Sequence, residues 1–154
     1  MRRRAAGCRG FTVVELAVVA TMVAILAAMA VPVARYTLQR QKELELRRCL
    51  RQMRDAIDKY KQYSDSGTIQ VQLGSEGFPP DLDSLVTGVQ QVGQLRKLKL
   101  LRQIPVDPMT GKAEWAFRSY QDEPDSMAWG GQNVWDVHSL STGRAIDGSY
   151  YKDW

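Results

Sequence analysis

Cysteine and histidine are scarce in this sequence of 154 residues, which has two cysteines and one histidine. Cys8 lies among the first ten residues, so a chain shortened by those ten would keep only Cys49 and could form no internal disulfide. With a single imidazole, His138, a metal site would have to rest on carboxylates. Asp136 and Ser139 are close sequence neighbours of that histidine, whereas catalytic triads are assembled from separate elements. The sequence therefore predicts neither an enzyme nor catalytic residues.

Charged residues are absent from Leu16 to Ala34, where most side chains belong to Ala, Val, Leu, Ile or Met. Nineteen residues in a helix extend about 28 Å, close to the hydrocarbon thickness of a bilayer. The segment therefore predicts one membrane-spanning helix, either as a plain signal anchor or as part of a longer structure. The residues that follow have a mixed, water-compatible composition.

Acidic residues are absent from the first ten positions, which hold four arginines. A secretory signal peptide places its cleavage site after the apolar region, so cleavage releases a soluble protein. Here Gly10 precedes the apolar region, and a cut after it would remove a leader, residues 1–10, while keeping the hydrophobic helix. Four of the 21 basic residues go with that leader, which leaves 17 to face 17 acidic residues. A nearly neutral chain is not expected to bind nucleic acid, because that affinity rests on cationic contacts.

Two residues interrupt the pattern of the apolar N-terminal segment. Glu15 would cost about 2.5–3.5 kcal/mol or more deep in hydrocarbon. A cut before Phe11 would create a cationic α-amino group, and the amine of a neighbouring copy, displaced by roughly one turn, could neutralise that carboxylate. The alternative places Glu15 at the headgroup level of an isolated anchor. Pro32 lacks an N–H and clashes with the carbonyl of Ala28, which predicts a kink or local loosening of the helix.

The stretch from Gly10 to Glu15 reads Gly-Phe-Thr-Val-Val-Glu, follows the arginines and precedes Pro32 in the apolar segment. It resembles the processing and assembly signature of type IV pilins and type II secretion pseudopilins. The resemblance implies that a prepilin peptidase cuts between Gly10 and Phe11 and N-methylates Phe11, and that Glu15 and Pro32 serve subunit assembly. Basic residues are more numerous after the span than before it, so a cytoplasmic N-terminus follows from the resemblance and not from charge.

After the membrane and assembly segment, residues 11–34, an amphipathic pattern indicates that the helix continues through residues 35–64 and ends near Tyr63. Its apolar residues recur three or four positions apart. They are Leu46, Leu50, Met53, Ile57 and Tyr60, with Cys49 and Ala56 beside them. The remaining residues, 65–154, make a domain small enough to need this stripe for its stability.

Short elements are predicted within residues 65–154. Asp81 is placed to cap a helix that runs to Val86, and residues 90–103 form either a helix or an extended loop. Apolar alternation in residues 115–120 and 134–139 is typical of antiparallel strands. An acidic run, residues 122–125, is more typical of a surface loop than of a cation site.

Three stretches, residues 78–86, 104–111 and 134–154, resemble the soluble part of the major, G-type pseudopilins of type II secretion. The resemblance implies an α+β, pilin-like fold, in which a long N-terminal helix, membrane-spanning in its first half, packs on a small domain with a short helix and antiparallel strands. It also implies a single-pass protein of the bacterial inner membrane whose C-terminal domain lies in the periplasm. An inner-membrane assembly platform would build it into a pseudopilus with copies of itself and with minor pseudopilins.

Two points stay open at the level of sequence. Many members of this family bind calcium in the C-terminal loop, but residues 139–148 hold one carboxylate, Asp147, near Arg144, and calcium needs six to eight oxygens. The sequence therefore predicts no cofactor. Calcium is the one ion for which a site was considered. The alternative functions are a type IV pilus pilin for adhesion, motility or DNA uptake, and a single-span protein that never polymerises.

Overall fold

The computed structural model of the chain describes residues 12–123, 126 and 128–154. The chain divides into two compact units, residues 1–39 and residues 40–154. A long helix, α1, spans Val13–Asp65 and contributes residues to both units. Together with a short helix and antiparallel strands later in the chain, it gives the α+β architecture that the sequence predicts.

In the described part of the first unit, every residue from Thr12 to Leu38 is exposed. Large apolar side chains occupy all sides of the helix; Val13, Leu26 and Met29, for example, are 84%, 67% and 66% exposed. A helix that is apolar all round needs lipid or protein around it. By its length and composition, this segment could cross a membrane.

In the second unit, α1 buries one face against the domain. The predicted stripe is confirmed, since all of its members are buried. The buried residues of α1 are Glu43, Leu46, Cys49, Leu50, Met53, Ala56, Ile57, Tyr60 and Ser64. The domain contributes apolar residues to the same core: Ile69, Phe78, Leu82, Leu85, Leu101, Trp115, Val134, Val137, Ala145 and Tyr151. Seven of the 17 buried apolar residues of this core therefore come from the helix.

Helix α2, Leu82–Thr87, begins where the sequence predicts. The Asp81 carboxylate accepts a hydrogen bond from the backbone N–H of Ser84 at 2.7 Å, which satisfies one of the free donors at the helix start. Gly88 ends the helix with φ at +92°, a backbone conformation that favours glycine. The helix buries Leu82 and Leu85 in the core.

Two antiparallel pairs of short strands complete the described part of the domain. Strand β1, Val89–Gln90, pairs with β2, Lys97–Leu98, so residues 90–103 are the extended alternative and not a helix. Strand β3, Ala116–Arg118, pairs with β4, Asp136–His138, with Phe117 opposite Val137. These two strands lie inside the predicted strand segments, and a 3-10 helix, Tyr151–Asp153, follows them.

Candidate assembly site

The predicted processing and assembly residues fall into two groups. Gly10 and Phe11 lie outside the described residues, so cleavage and N-methylation stay predictions. Glu15 and Pro32 both lie on the exposed part of α1. The functional interpretation of this segment therefore rests on the surroundings of those two side chains.

Glu15 belongs to a helix cap. The hydroxyl of Thr12 accepts a hydrogen bond from the backbone N–H of Glu15 at 3.2 Å, and the Thr12 carbonyl accepts one from Leu16 at 3.1 Å. Thr-x-x-Glu is the sequence pattern of a capping box, a signal that the sequence analysis missed. A carboxylate in the first turn is also favoured by the partial positive charge of the helix N-terminus.

The Glu15 carboxylate lies among exposed apolar side chains. Val13, Val14, Ala17 and Val18 line a shallow depression on this first part of the helix. In water such a surface would be unfavourable, whereas in lipid or against another helix the carboxylate would require a cationic partner. This arrangement is compatible with the predicted pairing of Glu15 with an amine of another copy.

Pro32 lies within α1, and the residues on both sides of it are helical. The carbonyl of Ala28 receives no N–H from Pro32, because proline has none. Two threonine hydroxyls on the same helix donate to backbone carbonyls, Thr21 to Ala17 at 2.7 Å and Thr37 to Val33 at 2.9 Å. Because the residues on both sides of Pro32 are helical, the proline does not end the helix. A kink at this position stays a prediction.

Arg54 fastens the C-terminal segment to α1 in the second unit. Its guanidinium donates to both carboxylate oxygens of Asp136, at 2.6 and 3.2 Å. It also donates to the carbonyls of Val137 at 3.1 Å and of Trp154 at 2.8 Å. Bidentate arginine–carboxylate pairs are among the stronger charge-assisted hydrogen bonds. The sequence pattern gave no sign of this contact, because the partners of Arg54 are distant in the chain.

Glu43 holds the loop before the 3-10 helix. One carboxylate oxygen accepts the backbone N–H of Ile146 at 2.9 Å and the hydroxyl of Tyr151 at 3.0 Å. The side chain is buried, so those bonds replace water around the charge. A glutamate three residues before Leu46, on the same helix face, is the sequence signal that marks it.

The charged side chains of the C-terminal loop are engaged in contacts within the protein. The carboxylate of Asp147 accepts hydrogen bonds from Ser149, and it lies 3.7 Å from the guanidinium of Arg47. Those contacts hold the pKa of Asp147 below its usual range. Arg144 lies over the ring of Tyr150 and donates to its hydroxyl. Among the described residues, no three acidic, histidine or cysteine side chains form a metal-binding group.

Other buried polar groups hold loops together. Asp107 is fully buried and accepts from the N–H of Met109 at 2.7 Å and from the Ser139 hydroxyl at 2.6 Å. The Ser139 hydroxyl is therefore directed to Asp107, and the adjacent His138 lies on β4, where burial and nearby Arg118 lower its pKa. N–H groups of Ser119 and Gly130 lower the pKa of Asp122 by hydrogen bonding to its carboxylate.

Comparison of the chain with models of known protein families, with curated proteins and with solved structures finds no match.

Proposed function

We propose that this chain is the precursor of a pilin-type filament subunit, a pseudopilin of type II secretion. Its leader, residues 1–10, would be cut off by a prepilin peptidase and Phe11 methylated. The processed protein would reside in the bacterial inner membrane, with its domain in the periplasm. An assembly platform would then add it to a growing fibre made of copies of this protein and of minor pseudopilins. The fibre would drive export of folded proteins.

The observation that carries this proposal is the exposed, apolar first part of α1 with one carboxylate in its first turn. In a plain anchor the carboxylate would only favour the helix N-terminus, and burying it in hydrocarbon would cost free energy. A filament subunit gains a way to set register, because the amine created by cleavage on one copy can neutralise Glu15 on the next. The small domain packed on the later part of α1 supplies the water-soluble surface of such a subunit.

A type IV pilus for adhesion, motility or DNA uptake would use the same anchor and the same cleavage. The choice of secretion rests on the resemblance of the domain stretches to G-type pseudopilins. Equal numbers of basic and acidic residues after removal of the leader give no reason to expect strong phosphate binding.

The test is cleavage at Gly10. Replacing Gly10 with Leu should leave an uncleaved product, ten residues longer, because a bulky side chain blocks a peptidase that requires a small residue before the cut. The measurement is mass analysis of the N-terminus of protein recovered from its native membrane, which should begin at methylated Phe11 in the unchanged chain.

The matched control is Gly7→Leu, which makes the same substitution elsewhere in the leader and should leave cleavage intact. Normal cleavage of the Gly10 variant would count against the proposal. So would native protein that begins at Met1 or that is released without its apolar helix.

A further inference from the structure

Charge is segregated along the chain after the leader. Six basic residues and two acidic ones lie between Arg40 and Arg54, on the part of α1 in the second unit. From Gln62 to Leu95 there is no lysine or arginine, and there are four acidic residues. Residues 119–143 also lack lysine and arginine. The balanced total therefore conceals stretches of opposite charge.

The basic surface lines an open groove of about 470 Å³ beside α1. Arg48, Arg51, Lys59 and Arg102 contribute its cations, and Asp55 is the acidic residue among the lining side chains. Arg51 and Arg102 are exposed. Within the part of the chain that the structure describes, neither makes a hydrogen bond or an ion pair through its side chain. Two guanidinium groups in this groove are therefore available to a partner.

The acidic surface is organised around a cluster of aromatic rings. Phe78 stacks on Tyr120 with ring centres 5.7 Å apart, and Tyr120 meets the edge of Trp135 at 6.3 Å. Tyr120 and Trp135 are 58% and 42% exposed. The N–H of Val134 donates to the carbonyl of Pro79 at 2.8 Å. These contacts bring the two acidic stretches of the chain side by side.

Three carboxylates in those stretches are exposed and make no side-chain hydrogen bond or ion pair within the described residues: Glu76, Asp83 and Glu123. Lys61 lies 5.5 Å from the centre of the Phe78 ring, and it already pairs with Asp65 at 2.6 Å. The two adjoining stretches thus combine free carboxylates with exposed aromatic rings. That combination suits guanidinium groups, which bind carboxylates and stack on aromatic rings.

We infer that the aromatic and acidic surface around Tyr120 of one copy binds the arginine groove around Arg51 of the next copy. The inference rests on the proposed function and names the surfaces through which the soluble domains meet. Because the two patches differ and lie on the same chain, each copy can bind one neighbour with each patch. Such a heterologous contact produces an open-ended assembly and not a closed pair.

Binding of a second copy gives both surfaces a partner. Anionic lipid or nucleic acid would give a partner to only one of them. Those ligands would account for the arginines and leave the exposed carboxylates and rings without a role. Arg51 also lies 17 positions beyond Ala34, where the uncharged segment ends. Charge complementarity between different patches of one chain is the property that steers and orients association.

The test reverses charge on each surface of the full-length protein in membranes where it is processed. One variant carries Arg51→Glu with Arg102→Glu, a second carries Asp83→Lys with Glu123→Lys, and a third combines all four. The fraction recovered in sedimentable filaments should fall at least about fivefold in each of the first two, because like charges then face each other. The combined variant should return to within about twofold of the unchanged protein, since opposite charges face each other again.

Two controls accompany the test. Lys112→Glu with Glu114→Lys reverses an exposed, loosely associated pair elsewhere in the domain and should leave filament recovery unchanged. The thermal unfolding midpoint of each variant shows that the domain is folded, because exposed substitutions of this kind shift stability little.

Unchanged assembly of either double variant would overturn the inference, and so would loss that the combined variant fails to repair. Loss confined to the arginine variant, together with weaker binding to vesicles of anionic phospholipid, would assign the groove to lipid and also overturn it. In each of these outcomes the unchanged protein still forms filaments, so the proposed function survives. Absence of filaments from the unchanged protein would sink both proposals.

Discussion

Glu15 has two separable roles at the scale of a single residue. Its backbone N–H completes the cap made by Thr12, and its carboxylate adds negative charge to an apolar surface. The hydrogen bond to Thr12 needs only the backbone of Glu15, whereas pairing with an amine needs the charge. The two roles therefore respond to different substitutions.

Glu15→Gln should leave membrane insertion intact and lower filament recovery at least about tenfold, because a neutral amide cannot neutralise a neighbouring amine. Thr12→Ala is the matched control: it removes the cap at a cost of about 0.5–2 kcal/mol in helix stability but keeps the carboxylate. Filament recovery should then be close to normal. Equal losses in the two variants would show that helix capping, and not charge pairing, is the function of Glu15.

The later part of α1 is the element on which the domain is built. Met53 is fully buried in its stripe, and Gln52 beside it is exposed. Met53→Ala should lower the free energy of unfolding by about 2–5 kcal/mol, because it removes buried volume that the core cannot refill. Gln52→Ala should change it by less than about 0.5 kcal/mol. Thermal unfolding followed by tryptophan fluorescence measures both, and similar values for the two variants would contradict the packing described above.

Elements with a periodic or capped sequence were predictable. The three-to-four spacing from Leu46 to Tyr60 predicted the buried stripe, and Asp81 predicted the start of α2. Strands β3 and β4 were predictable from their apolar alternation. The β1–β2 hairpin could not be predicted, because its glutamine-rich sequence has neither helical nor strand periodicity.

The contacts of Glu43 and Arg54 were beyond sequence analysis for a different reason. Each side chain joins α1 to residues that lie between 82 and 108 positions further along the chain. Spacing along a helix shows which side chains share a face but does not identify distant partners. The role of Thr12, in contrast, was readable from the Thr-x-x-Glu pattern.

At the scale of the whole molecule, the exposed apolar part of α1 predicts how the protein fractionates. Processed protein should stay in the membrane pellet after an alkaline carbonate wash and dissolve only in detergent, because burial of the apolar side chains in lipid is worth about 25 cal/mol per Å². Immunoblotting of the pellet and the supernatant measures this. Recovery mainly in the carbonate supernatant would show that the segment does not span the bilayer.

The contacts of Glu43 with Ile146 and Tyr151 also bear on when the domain can fold. Their sequence separation exceeds 100 residues, and chains dominated by such distant contacts fold slowly. During synthesis, the stripe on α1 lacks its complete cover until the segment that includes Tyr151 has been made. The domain can therefore close only after that segment has emerged, and until then the uncovered apolar stripe is prone to aggregation.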